Sequence, residues 1–372
     1  MQTYHVKLQS DVSKSYRCQR AADSLDIDAK KKSIHELTIN ADLKTEFSIG
    51  LIVGASGSGK TTLAKQMFGQ NCFNVVIDVD KPIIDQLPEK LNYDECAEML
   101  SGIGLTSVPC WIRPVKTLSN GQRARAEAVL NMIASNEINV IDEWTSVVDR
   151  TVAKVMSYCV QKFARKNKKR LILLSCHYDV MEWLNPDWVI DCNKQEFVDR
   201  RLLQSRERKE RLNFELREVG TNTWKYFSKY HYLSDRLPGG KIFTFGLFHK
   251  SDQIGFQCFA NYVPAQKGKT PIFHSNRTVI HPDYAGFGLG IKVINESSQI
   301  MKSRGYRVMA KFSSVPIYRS MIKNTAWRLL ETKRQIGKMN HGGSMMRRTG
   351  YRENIKTFSF EFIGMNSMKA IP

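Results

Sequence analysis

Residues 47–67 read FSIGLIVGASGSGKTTLAKQM: an apolar run, a glycine-rich turn and a helix-forming segment in immediate succession. Few architectures accept that order. A buried strand has to hand a tight turn to the start of a helix, which is the layering of an α/β domain. Within the stretch, Gly54, Gly59, Lys60 and Thr61 satisfy G-x-x-x-x-G-K-[ST]. The backbone of Gly54, Ala55, Ser56, Gly57, Ser58 and Gly59 can then wrap phosphates with its N–H groups, at a helix N-terminus that favours negative charge. Lys60 is expected to reach the β and γ phosphates, Thr61 to ligate Mg²⁺, and Thr62 to follow at the helix start. The ligand this predicts is ATP with Mg²⁺.

Two later stretches extend the same site. Residues 138–143, INVIDE, form a short apolar strand ending in two acids. Asp142 at the strand tip is placed to hold Mg²⁺ through water, and Glu143 to polarise an attacking water as a general base. Residues 170–177, RLILLSCH, give another buried strand with His177 just beyond it, a candidate γ-phosphate sensor.

With LSNGQ at 118–122 and TSVVD at 145–149, residues 47–192 carry five elements in one order, and in this they resemble an ATP-binding cassette (ABC) ATPase. The resemblance implies that Ser119 and Gly121, with Gln122, meet ATP held by the P-loop of a second copy, and that Asp149, ending the D-loop-like TSVVD, belongs to the ATP site. A homodimer with two ATP molecules sandwiched at its interface follows. Only 57 residues separate Lys60 from Leu118, so the helical subdomain, roughly 82–115, is reduced. Gln86 stands where a glutamine loop is sought, but reads as a surface glutamine. The adenine-stacking aromatic is unassigned. A short helical subdomain without membrane segments fits the soluble cassettes that work on nucleic acid better than transporter subunits.

Charge divides the chain. Of 372 residues, 1–198 hold 25 Lys+Arg against 24 Asp+Glu, and 199–372 hold 31 against 12. Nearly the whole net charge of +20 therefore belongs to the second half. A basic domain of this kind usually meets a polyanion, and nucleic acid is the expected partner. The eight cysteines are scattered with no C-x-x-C pair, which argues against a zinc ribbon or a disulfide framework. No apolar run approaches the roughly 20 residues needed to cross a bilayer, and the start lacks a signal-peptide core. A cytosolic protein is expected. The boundaries drawn are an ATPase domain over 1–198, a basic linker and short helix over 199–219, and a second domain over 220–372. The junction is either a solvated helix face or a phosphate contact.

The second half reads as a hairpin (241–248 and 253–263), then a strand, glycine turn and amphipathic helix (277–305), a strand at 307–314, and a strictly alternating strand at 356–363. The turn Gly286, Phe287, Gly288, Leu289, Gly290 lacks a following Lys-Ser/Thr, so it is no second P-loop. Placed between strand and helix, it resembles the pyrophosphate loop of the GNAT acyltransferases, with Ala285 where that family has Gln or Arg. The resemblance covers roughly 220–363 and implies binding of acyl-CoA, acetyl-CoA first, by the backbone of that turn. It makes Tyr318 a candidate for the acid that protonates the departing thiolate, beside the reading of a core or surface tyrosine. His231 and Tyr232 are candidates for orienting substrate, with His281 and Asp283 as further candidates or plain loop residues.

The fold class expected is therefore α/β: a P-loop ABC-type ATPase domain followed by an α+β GNAT-like acyltransferase domain. The fusion resembles phage proteins whose second domain is similar to the Mom-type DNA-modifying enzymes. ATP-dependent clamping with acylation of a nucleic-acid amino group is the function this implies. Other readings stand beside it: an RNA or tRNA acetyltransferase, a nucleic-acid-dependent ATPase with a silent second domain, and acylation of a protein or small amine.

Overall fold

The computed structural model describes residues 2–10, 15–24, 33–43, 46–73, 75–134, 137–201, 213–231, 235–261, 270–335 and 355–365. The chain is mixed α/β and divides into two compact units, one of residues 1–88 and 114–210, the other of residues 89–113 and 211–372.

The first unit opens with β1 (Gln2–Ser10), α1 (Tyr16–Ser24) and β2 (Ser33–Ala41); β1 and β2 pair antiparallel from Gln2↔Ala41 to Ser10↔Ser33. Tyr4, Val6 and Leu8, like Leu37, Ile39 and Ala41, alternate along their strands and pack onto Ile52, Leu63 and Ala64. Next come β3 (Ile49–Val53) and α2 (Lys60–Phe68). All five residues of β3 are buried, as a central parallel strand requires. The Trp188 indole lies so close over Gly50 that an added Cβ would sit 2.1 Å from it, so only glycine fits there.

After α2 the chain crosses to the second unit for residues 89–113, which carry α3 (Tyr93–Gly102) and α4 (Val108–Trp111). It returns with α5 (Asn120–Ile133), β4 (Ile138–Ile141), α6 (Arg150–Lys166), β5 (Arg170–Ser175), α7 (Val180–Leu184), β6 (Trp188–Asp191) and β7 (Glu196–Asp199). The sheet order is β4-β5-β3-β6-β7, parallel except for β7. β3 starts where it does because the buried Asp187 carboxylate accepts from Ser48 N (2.7 Å) and Ile49 N (2.9 Å) while Arg165 donates to it at 2.9 Å.

The second unit is built on β8 (Glu215–Glu218), α8 (Trp224–Phe227), β9 (Ile242–His249), β10 (Asp252–Ala260), β11 (Ile272–Ile280), α9 (Leu289–Ser303), β12 (Arg307–Phe312), α10 (Val315–Met321), β13 (Trp327–Gln335) and β14 (Ile355–Phe362). Its sheet runs β13-β14-β12-β11-β10-β9-β8. Phe245, Phe259, Phe273, Phe358 and Phe360 form one core with Ile294 and Met301 of α9. Trp224 and Phe227 pack with Phe256, Cys258 and Val279 in another. α3 packs against α10, and Glu98 pairs with Arg319.

Two expectations need correcting. Of the junction expected over 199–219 as linker and short helix, only the ends are described and differ: Asp199 closes β7 and Glu215–Glu218 form β8, while residues 202–212 lie outside the described residues. Gln86 is not a surface glutamine. It is partly buried, donating to the carbonyls of Asp78 (2.8 Å), Lys81 (3.2 Å) and Pro82 (3.3 Å) and accepting from Asp78 N (2.8 Å), so it clamps that turn.

Candidate functional site

Parallel strands all point one way, so the loops at their C-terminal ends gather along one edge of the sheet. In the order β4-β5-β3 that edge carries Asp142 and Glu143, then His177, then the loop 54–59. Gly59 has φ 87° and ψ 9°, a left-handed conformation that costs other residues about 1 kcal/mol or more, and it caps α2. Asn193 Oδ1 accepts from Ala55 N at 3.2 Å, tying the loop to the end of β6. Lys60 Nζ donates to the carbonyls of Gly54 and Ala55, both at 2.7 Å.

Thr61 Oγ1 donates to Asp142 Oδ2 at 2.8 Å, which brings the two residues expected to share Mg²⁺ together. A hydroxyl and a carboxylate are hard oxygen donors, the kind Mg²⁺ takes in pairs while keeping waters and substrate phosphates. The donor set fits. Asp142 Oδ1 also accepts from Glu143 N at 2.8 Å, and Glu143 sits exposed at φ 51°. Ser175 Oγ donates to Trp144 O at 3.1 Å and accepts from His177 N at 3.1 Å, so one hydroxyl joins the loops bearing Glu143 and His177.

Ser119 is the N-cap of α5: its side chain accepts from Gln122 N, while Gln122 Oε1 accepts from Ser119 N at 3.2 Å. Asp149 caps α6, accepting from Thr151 N (2.9 Å) and Val152 N (3.0 Å). An added Cβ on Gly121 would meet Val152 Cγ1 at 3.0 Å, so the LSNGQ turn at 118–122 sits against the start of α6. These residues hold their own loops in shape as well as being candidates for nucleotide contact.

The second unit repeats the cradle motif. Gly288 caps α9 at φ 75° and ψ 14°, close to the backbone of Gly59. Among the described residues, an added Cβ at Gly288 or Gly290 would meet nothing within 4 Å. Upstream, β10 and β11 slip register: Cys258 faces Arg277 but Phe259 faces Ser275, which makes Asn276 a bulge. At the same point β11 leaves β12. Their parallel pairing stops at Ser275↔Ala310, although β11 runs on to Ile280. The sheet thus opens between two adjacent strands in front of the Gly286–Gly290 turn. A buried network holds the bulge, with Gln257 Nε2 donating to Ser275 Oγ (3.0 Å) and Thr278 Oγ1 donating to Gln257 Oε1 (2.5 Å).

Tyr318 lies on α10 with its ring stacked on Phe358, centroids 4.0 Å apart. His231 is packed edge-on to Trp224 at 5.7 Å; burial, then the nearby Arg277 charge, pull its pKa down to about 4. Tyr232 lies outside the described residues. His281 bonds Tyr230 Oη through Nε2 at 3.1 Å, accepts from Asp283 N through Nδ1 at 3.3 Å, and lines a cavity of about 400 Å³ with Tyr226, Asp252, Asp283 and Tyr284. Sequence reasoning missed the antiparallel β1–β2 pair, although its period-two alternation was readable, and missed the bulge, which has no sequence signal.

No family model and no curated protein matches this sequence. Among solved structures, the chain is similar to a dimeric ATP-binding cassette in a post-hydrolysis state bound to ADP and Pi, at 16% identity over 45% of this chain and 92% of that one, TM-score 0.34. It is also similar to Arabidopsis thaliana NAA60 in complex with a bisubstrate analogue, at 13% identity over 40% of this chain and 98% of that one, TM-score 0.31. A third similarity is to a GNAT family acetyltransferase from Elizabethkingia anophelis with acetyl-CoA bound, at 8% identity over 41% and 99%, TM-score 0.29. Among the described residues no helix is long and apolar enough to cross a membrane, and no group of three or more His, Cys, Asp or Glu could hold a metal.

Proposed function

We propose that the chain couples an ATP-hydrolysing cassette, working as a two-fold dimer, to an acyl-CoA-dependent N-acyltransferase acting on nucleic acid. The observation that carries the acyltransfer reading is the parting of β11 from β12 at the Asn276 bulge, in front of the glycine turn that caps α9. An opening between adjacent strands exposes backbone N–H and C=O groups that an extended, amide-bearing chain such as pantetheine can pair with. The α9 N-terminus favours the pyrophosphate at the end of that chain.

In the first unit, the loop 54–59 and Lys60 bind and orient the phosphates of ATP. Thr61 and Asp142 hold Mg²⁺, which when bound neutralises phosphate charge. Glu143 takes a proton from the attacking water, and His177 approaches the γ phosphate from the neighbouring strand end. Ser119 and Gly121 complete the site of a second copy. In the second unit, Tyr318 is the acid assigned to the departing thiolate. The basic balance of residues 199–372 favours a polyanionic acceptor over a small amine. Mass analysis of nucleosides from cells expressing the protein tests this: a new acylated base is expected. Unchanged nucleosides beside measurable acyl-CoA binding overturn the nucleic-acid acceptor and favour a protein or small amine.

A further inference from the structure

Alternation sorts the side chains of β11, β12, β14 and β13 onto two faces. Phe273, Val308, Ala310, Phe358, Phe360 and Trp327 enter the core shared with α9. The residues between them, His274, Arg307, Lys311, Ser359, Glu361 and Arg328, take the opposite face. Arg307 Nε and Arg328 Nη2 both reach the Glu361 carboxylate, at 2.9 and 2.6 Å, so three strands present side chains to one surface. Burial works to raise the Glu361 pKa, but hydrogen bonds from Arg328 and Arg307 hold it below the ordinary glutamate value. That single carboxylate is thus engaged by two arginines.

The cations outnumber it. Lys311 is exposed beside the strand opening, and the Arg307 and Arg328 side chains are 48% and 62% exposed. Past the bulge, Arg277 joins the face that carries Trp224 and Cys258. Its Nη atoms donate to Asn276 Oδ1 (2.7 Å) and Arg236 O (3.2 Å), while its buried Nε has no hydrogen-bond partner among the described residues. Sheet faces turned to water normally mix signs across strands, because like charges side by side are destabilising. The four cations and the one acid whose side chain is described run along the face from Arg307 and Arg328, toward the end of β12 away from the opening, to Lys311 and Arg277 beside it, a spread better matched to a run of phosphates.

We propose that this face docks the phosphate backbone of a nucleic-acid strand and leads it past the opening between β11 and β12. The docking stands on charge complementarity alone; only its purpose, presenting an amino group to the acyl donor, rests on the acyltransfer reading. Each cation that neutralises a phosphate releases counterions. The log affinity against log salt then falls with a slope of about −0.7 per contact on single strands, or about −0.9 on duplex.

The test uses the full chain, fluorescently labelled single-stranded and duplex oligonucleotides, and anisotropy across a salt series. Lys311→Gln with Arg328→Gln is expected to shrink the single-strand slope by up to about 1.4, while Lys311→Arg keeps it. Acyl-CoA binding by calorimetry and the melting temperature report whether the fold is intact. A slope unchanged in the double variant, or a wild-type chain that binds no oligonucleotide, overturns the proposal. So does poly-glutamate binding as tightly and weakening with the same substitutions, since the surface would then fit acidic protein. If the variants weaken oligonucleotide binding but no acyl-CoA binds the wild type, the acyltransfer reading falls and the docking face stands.

Discussion

Thr61 and Asp142, 81 residues apart in sequence, share a 2.8 Å hydrogen bond that fastens the first turn of α2 to the tip of β4. It ties the helix that follows the phosphate loop to the strand tip that bears the two acids. Glu143 follows directly, its backbone N–H held by the same carboxylate.

Glu143→Gln is expected to keep ATP binding and lose turnover by a factor of about 10²–10⁴, the range for removing a general base. It should also accumulate an ATP-bound dimer. Phosphate release and size measurement with ATP check both; a purely monomeric variant under saturating ATP contradicts the shared site.

Ser119 offers a separation of roles, since it caps α5 as well as being the proposed ATP contact. Ser119→Ala should cost about 1 kcal/mol of stability from the lost cap. Ser119→Asp retains a capping oxygen but adds negative charge, so it should fold normally and fail to hydrolyse ATP. Mixing Lys60→Ala chains with Ser119→Asp chains should restore part of the activity, because their heterodimer keeps one intact composite site. No gain on mixing would mean each chain closes its own site.

Gly288→Asp should abolish acyl-CoA binding: it forces a side chain into φ 75° and sets a carboxylate where the pyrophosphate approaches. Gly290→Ala, whose added methyl meets nothing within 4 Å among the described residues, should retain the fold and report steric demand alone. Calorimetry distinguishes them, and equal affinities in wild type and Gly288→Asp would remove the turn from the site.

His231 predicts a pH dependence. Its pKa falls from 6.5 to about 4 in the folded protein, so between those values the unfolded chain binds more protons. Stability from this group is therefore full above about pH 6.5 and declines as pH drops toward 4. His231→Gln should flatten that part of the melting-temperature profile, though His274, also lowered by burial, keeps some slope. Parallel profiles for the two proteins would contradict the buried neutral imidazole. At neutral pH the same shift makes His231 a weak base.

The phosphate loop, the paired acids and the glycine turn were legible because each is a contiguous string whose chemistry needs those residues at that spacing. The local alternation of Tyr4, Val6 and Leu8 was equally present but short and flanked by polar residues. Gln86 and the Asn276 bulge were not legible at all. Four bonds to a turn and a register slip between β10 and β11 arise from pairing partners that local pattern cannot name. β8 was masked by its charges, which read as helix surface.

The passage of residues 89–113 into the second unit has a consequence for synthesis. α3 leaves the ribosome well before α10, more than 200 residues later in the chain, exists to pack against it. The first unit must close around a loop whose destination is still untranslated. Premature termination anywhere before α10 would strand α3 in water. A clean cut between the halves would likewise give a C-terminal fragment lacking a piece of its own structure.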